Sequence, residues 1–410
     1  MSRSKTFLVA NLGHFADHYF LLIFPTAVLA IHREWQMSYG DALMLGTPMF
    51  VAFALATLPA GWLGDHWSRA KMLVVFFIGL GVASVLTGFA AGPISLAAGL
   101  GGIGVFGAIY HPVGLAMVSE LADRPGRALA INGVYGNLGL AAAALGTAVL
   151  TSLFGWRSAF VVPGLISIVL GVCYGVFLHR TPQERKHRPS TRASRSPHYP
   201  ISTQLRALAV VCVAAFFGGL VFNVVTVTLP KIFELKLGAH DLSLTDIGFV
   251  TSATFAIAAF AQLPVGALLD RFGGKIVFLC VLAVEAILLW VMSASVGAAT
   301  LPIALALVVV LFAELPVTPW LLGHFIDTEW RARAFAIDYV LALGVGALAL
   351  PFVGWAAGPQ ENFSVLFVFL AGAAVIVFLA AWLLPAVMPA RRTHVEGAIG
   401  ASFSKARGGG

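Results

Sequence analysis

Residues 72–119 contain no Asp, Glu, Lys or Arg in 48 positions. A helix crosses the hydrocarbon core of a bilayer with about 20 apolar residues. Ala91-Gly92-Pro93 puts a turn signal near the middle of the run. Residues 72–119 therefore read as two membrane-crossing helices joined by a very short loop. Residues 208–230 form a further uncharged stretch of spanning length. None of these runs alternates polar and apolar with period two, as the strands of a membrane barrel do. Composition agrees: the chain is 59% hydrophobic and 10% charged, where soluble domains carry roughly 25% charged residues. Lipid must solvate most of its surface.

Hydropathy predicts an all-α membrane protein with twelve spans, near 6–31, 41–63, 71–91, 94–118, 128–153, 158–178, 206–230, 245–269, 275–296, 299–322, 333–356 and 363–388. With the N-terminus inside, all but Arg33, Arg157, Lys231 and Lys236 of the 25 Lys and Arg residues fall on the cytoplasmic side. That is the bias that orients membrane proteins, and it places both termini in the cytoplasm of a bacterial-type inner membrane. The net charge of +7 is topological, and no nucleic-acid partner is expected. Cys173, Cys212 and Cys280 lie in apolar runs without metal-type spacing. The first run carries His and Asp and lacks a small-residue cleavage site, so it reads as a span and not as a signal peptide.

The polar segment 179–205 holds Arg180, Arg185, Lys186, Arg188, Arg192 and Arg195 among Pro and Ser, with Glu184 as its one acid. It reads as a basic, disordered cytoplasmic linker. The chain then divides into a first half (1–178), the linker, a second half (206–390) and a tail (391–410). The halves repeat each other. Leu58-Pro59-Ala60-Gly61 with Asp65 recurs as Leu263-Pro264-Val265-Gly266 with Asp270. Arg127-Ala-Leu-Ala-Ile-Asn132 recurs as Arg333-Ala-Phe-Ala-Ile-Asp338, and Pro112-Val113 as Pro316-Val317. Matches in register through six-span units indicate a parallel repeat about an axis along the membrane normal.

The loop after span two reads Gly61-Trp-Leu-Gly-Asp65-His66-Trp-Ser68-Arg69-Ala-Lys71, and the loop after span eight reads Gly266-Ala-Leu-Leu-Asp270-Arg271-Phe-Gly273-Gly274-Lys275. Both resemble the G-x-x-x-D-R/K-x-G-R-R/K signature of major facilitator transporters, with His66 and Ser68 departing from it. The resemblance implies two six-helix halves that rock about a central site. It also implies a cytoplasmic gate built from Asp65, Arg69, Lys71, Asp270, Arg271 and Lys275, with Asn132 and Asp338 beside it and Glu120 or Asp123 as acidic partners. His14-Phe15, Asp17-His18, Pro25 and His111-Pro112, followed by Gly133, Gly136 and Gly139, resemble the fosmidomycin-resistance branch of drug exporters. The Arg that many proton-coupled antiporters carry in span four is absent from Ala97-Ala98-Gly99-Leu100-Gly101-Gly102.

An ionisable residue at bilayer depth costs roughly 2.5–3.5 kcal/mol on insertion scales, and so marks candidate function. His14, Asp17 and His18 share one helical face by their i, i+3, i+4 spacing. His111 and Glu314 fall at a depth similar to His14. Spans one, four, seven and ten line the cavity by resemblance, which adds Tyr19, Tyr110 and Asn223 as polar contacts. Glu285, in span nine, reads as a support-helix group that pairs within the bundle. The expectation is a monomeric, non-enzymatic secondary transporter, without a cofactor, exporting a small molecule in exchange for protons. One alternative reading is proton-coupled uptake of a small organic solute. The other is transport of a transition metal or metal complex ligated by His14, Asp17 and His18, since imidazole suits Zn, Cu, Fe and Ni.

Overall fold

The computed structural model describes residues 3–121, 125–180, 199–237, 242–358 and 361–385. Its elements are helical throughout the described residues. Eleven continuous helical stretches there are long and apolar enough to cross a membrane, and one of them, Tyr39–Gly88, is 50 residues long. That stretch contains two spans. Extended backbone at Ser68 (φ −170°, ψ 122°) turns the chain between them. The twelve predicted spans are thereby accounted for.

Span one is α1 (Arg3–Glu34). Span two is α2 (Tyr39–Met44) and α3 (Thr47–Leu63), followed by a π-helical turn at Gly64–Ser68. Span three is α4 (Arg69–Gly88), and span four is α5 (Pro93–Gly107) with α6 (Tyr110–Leu121). Spans five to seven are α7 (Pro125–Phe154), α8 (Ser158–Arg180) and α9 (Ile201–Leu237). Span eight is α10 (Leu244–Ala258) with α11 (Gln262–Phe272), and span nine is α12 (Gly274–Ala294). Span ten is α13 (Thr300–Glu314) with α14 (Val317–Phe325). Span eleven is α15 (Thr328–Gly344) with α16 (Gly346–Ala357), and span twelve is α17 (Phe363–Trp382).

Proline explains the interruptions that matter most. It offers no N–H to the carbonyl four residues back and its ring crowds that carbonyl. Pro112 loosens span four at Ala108 and Ile109, and Pro316 loosens span ten at Leu315. These are the repeat-related prolines. They leave His111 in the first turn of α6 and Glu314 as the last residue of α13.

Packing follows the repeat. Within the halves, α4 lies on α8 as α12 lies on α17. Between them, α7 lies on α10 and α16 lies on α2 and α3, so spans five and eight are matched by spans eleven and two. Glycine permits both crossings to be close, the usual device where lipid supplies no hydrophobic drive. A Cβ on Gly40 would sit 3.2 Å from the backbone of Gly354, and one on Gly248 2.3 Å from Ala148. Outward faces are apolar and exposed, as in α8 with Leu165, Ile166, Val169 and Val172.

Helix α9 exceeds its predicted bounds of 206–230 at both ends. It continues outward because Lys231 and Glu234 find partners there, as described below. At the linker's end the Tyr199 hydroxyl lies 2.9 Å from His324 Nε2, and Gln204 Nε2 donates to Asp327 Oδ2 at 2.8 Å. The expected disorder of the linker concerns residues 181–198, outside the described residues, as do Asp123 and the tail from 386 onward.

Candidate functional site

In the first half, α1 presents Asn11, His14, Asp17 and His18 toward α6 and α7. Their closeness depends on glycine. A Cβ at Gly136 would stand 2.7 Å from the His14 ring, and one at Gly139 2.3 Å from the Phe15 carbonyl oxygen. The Gly-rich fifth span is thus a bed for α1 that leaves room for an imidazole. His14 is 7% exposed and Asp17 1%.

His14 Nδ1 lies 2.8 Å from the backbone oxygen of Asn132. A carbonyl only accepts, so Nδ1 carries the hydrogen and the Nε2 lone pair is left over. The ring stacks on Tyr110 at 4.9 Å. His18 and His111 stand 4.7 and 5.4 Å from it, centroid to centroid, and 5.7 Å from each other. His111 Nε2 is 3.1 Å from Asp17 Oδ2. The His111 ring is also 6.0 Å from that of Tyr339 in α15, so the cluster looks onto the other half.

Behind this layer Asn132 Nδ2 donates to Asn11 Oδ1 at 2.8 Å, and the Tyr110 hydroxyl donates to Asn132 Oδ1 at 3.1 Å. The structure therefore places Asn132, expected beside the cytoplasmic gate, within the histidine cluster. Asn11 was legible in principle, lying three residues before His14 on the same helical face. Tyr339 carried no sequence signal.

In the second half the carboxyl of Glu285, buried on α12, neighbours that of Glu314 on the packed helix α13. Neither oxygen of Glu285 has a donor among the described residues. Opposite Glu314, Gly218 of α9 leaves its Oε1 room, 3.0 Å from where a Cβ would be. Asn223 Nδ2 donates to the Gly219 carbonyl at 2.8 Å and lies 3.5 Å from that of Ala342, tying α9 to α15. Tyr19 stacks on Phe15 at 6.1 Å and reaches Gly146 of the fifth span. Asp338 is buried, at 6% exposure, beside Tyr339.

The residues of the two signature loops make contacts within their own halves. Arg69 pairs with Asp65 at 2.7 Å and also with Glu120, joining the end of span two to the end of span four. Lys71 lies over the Trp67 ring at 5.5 Å. In the second copy Asp270 Oδ1 accepts from Trp320 Nε1 at 3.5 Å, and Arg271 covers Phe272 at 5.0 Å. Lys275 donates to the carbonyls of Trp382 and Leu384 at 2.6 and 2.7 Å, capping α17.

At the end of the bundle away from the signature loops an ion pair and a cation–ring contact cross between the halves, and sequence reasoning did not single them out. Arg33 pairs with Glu234. Lys231, 4% exposed, pairs with Glu234 at 2.7 Å and Glu361 at 2.8 Å, and its ammonium lies 5.0 Å from the Tyr39 ring centre.

Comparison with known proteins fits this architecture. A sequence profile of the Major Facilitator Superfamily matches residues 7–240 and 211–407. A probable 4-methylmuconolactone transporter of Cupriavidus pinatubonensis is 27% identical over 63% of this chain and 62% of its own length. The chain thus spans about three fifths of that relative. The 4-hydroxybenzoate transporter PcaK of Pseudomonas aeruginosa is 24% identical over 79% of both chains. The crystal structure of a bacterial homologue of the lysosomal transporter Spinster, inward-facing and unoccupied, superimposes with a TM-score of 0.73. It covers 93% of this chain and 98% of that one at 15% identity, a likeness of fold. With the repeat, the two signature loops and the profile in agreement, this chain is a member of the Major Facilitator Superfamily.

Proposed function

We propose that the protein is a proton-coupled carrier of a small, oxygen-bearing organic solute, working by alternating access in an inner membrane with both termini cytoplasmic. One observation carries this reading: the buried ionisable groups at bilayer depth gather into two clusters, one per half. His14, Asp17, His18 and His111 form the solute site, facing the second half through Tyr339. Glu285 and Glu314 form the coupling site. No described Lys, Arg or His pairs with either, which leaves both carboxyl groups free to take up and release the coupling proton. Two of the named relatives are named for small oxygenated ring compounds, which suits a site of imidazole, phenol and amide groups. Direction follows the gradients, because coupled carriers run both ways. The fosmidomycin-resistance resemblance behind the export expectation is one branch of a family that also includes these carriers.

Proteoliposomes with an imposed pH gradient test the reading. Labelled 4-hydroxybenzoate and a panel of drugs should accumulate or be expelled with the gradient, and collapse of the gradient should abolish this. Glu314→Gln should keep solute counterflow while losing gradient-driven accumulation. Transport indifferent to the pH gradient would make the protein an uncoupled facilitator and overturn the proposal.

A further inference from the structure

The histidine cluster has a property that solute binding does not require. Among the described residues His14 Nε2, His18 Nδ1 and both ring nitrogens of His111 have no hydrogen-bond partner, His111 Nε2 standing in an ion-pair contact with Asp17. A histidine that serves only to join helices spends its nitrogens on neighbours. Here two of the three are held from behind instead. His14 gives Nδ1–H to the Asn132 carbonyl, and His111 turns Nε2 to Asp17. A carbonyl or carboxylate behind an imidazole, fixing its tautomer and aiming the other nitrogen, is how metal-bound histidines are oriented.

One ring nitrogen from each of His14, His18 and His111 lies within 4.8 Å of the others. Ligands about 2.0–2.1 Å from a tetrahedral Zn²⁺ stand roughly 3.3 Å apart, so the set must close by about an ångström or somewhat more. Side-chain rotation supplies that. The sequence spacing had offered His14, Asp17 and His18 as ligands. The tertiary structure exchanges Asp17 for His111, brought from another span, and moves Asp17 behind it as a positioning residue.

We propose that His14, His18 and His111 form a three-imidazole site for a divalent late transition-metal ion, with the fourth position open to an oxygen of the carried solute. The site rests on the reading of this cluster as solute-facing, and names the chemistry by which the solute would be held. Three nitrogen ligands and one exchangeable position is the arrangement of Zn²⁺ sites that bind substrate, and imidazole also suits Cu, Ni and Fe.

Metal-stripped, full-length protein in lipid nanodiscs provides the test, with Co²⁺ and Zn²⁺ as probes. Co²⁺ should give the intense visible bands of a four-coordinate nitrogen site. Zn²⁺ should remove them and raise the melting temperature, as any ligand of the folded state must. His18→Ala and His111→Ala should each weaken Co²⁺ binding more than tenfold. Asp17→Asn should weaken it about tenfold or more without touching the ion. Adding 4-hydroxybenzoate should change the Co²⁺ spectrum, and an unchanged spectrum would remove the open fourth position. A wild-type spectrum of hydrated Co²⁺ with no thermal shift overturns the site whether or not the variants fold. Failure here is distinct from failure of the carrier reading. Gradient-driven solute movement in metal-free vesicles would leave the carrier standing without its metal. A metal-loaded protein that moves no solute on a pH gradient would do the reverse.

Discussion

His111, the first-turn residue of a broken fourth span, lies 3.1 Å from Asp17 in the middle of the first. The two are 94 positions apart, and the proline that follows His111 opens the helix at their meeting point. Replacing Asp17 with Asn keeps the shape and removes the charge. We expect solute transport to fall more than tenfold, with the protein still inserted and melting within a few degrees of wild type. Full transport by both Asp17→Asn and His14→Ala in proteoliposomes would remove the solute site.

The bed for α1 gives a packing prediction. A methyl group at Gly139 would meet the Phe15 carbonyl oxygen at 2.3 Å, with no flexible side chain to yield. Overpacking of this kind costs typically 1–3 kcal/mol. Gly139→Ala should lower the melting temperature in detergent and slow transport. Gly372→Ala, where nothing lies within 4 Å of the new methyl, should leave both unchanged. Equal melting of the two variants would mean that spans one and five do not pack this closely.

The contacts of Lys231 and Arg33 give a gating prediction. Lys231 is buried between Glu234 and Glu361 and ties span seven to the loop before span twelve, while Arg33 ties span one to Glu234. Removing one member of a buried pair leaves a charge uncompensated, a loss of about 3–5 kcal/mol. Lys231→Met also removes the ammonium that lies over Tyr39 of the first half, so it should shift the population toward outward-open, and a cysteine placed between the halves should react faster with an impermeant outer reagent. An unchanged labelling rate would reduce these pairs to anchors of topology.

The inner motif is a different case. The Asp65 side chain is 61% exposed and that of Glu120 55%, and exposed pairs contribute roughly 0–1 kcal/mol. Asp65→Asn and Asp270→Asn should barely change the melting temperature. Both should still raise cysteine labelling from the cytoplasmic side, because a modest energy is enough to move an alternating-access equilibrium. Unchanged labelling in both variants would argue against a gating role for these loops.

The chain's sequence determined the helices, their number and the repeat, and it carries the charge bias behind the expected orientation. Twenty apolar residues in lipid have no water to satisfy their backbone, so each run must close its own hydrogen bonds as a helix, and flanking Lys and Arg orient the set. Both are properties of contiguous residues, and the prolines that break spans four and ten are likewise local. The candidate site was only half legible for the same reason. His14, Asp17 and His18 announce themselves by spacing along one helix. That Asp17 answers to His111, that Asn132 joins the cluster, and that Glu285 faces Glu314 depend on which faces of different helices touch. So does the meeting of Lys231 with Glu361 and the Tyr39 ring. Glycines such as Gly136, Gly139 and Gly218 set those approaches to within an ångström, and a missing side chain leaves no trace in hydropathy. Only the tertiary structure decided them.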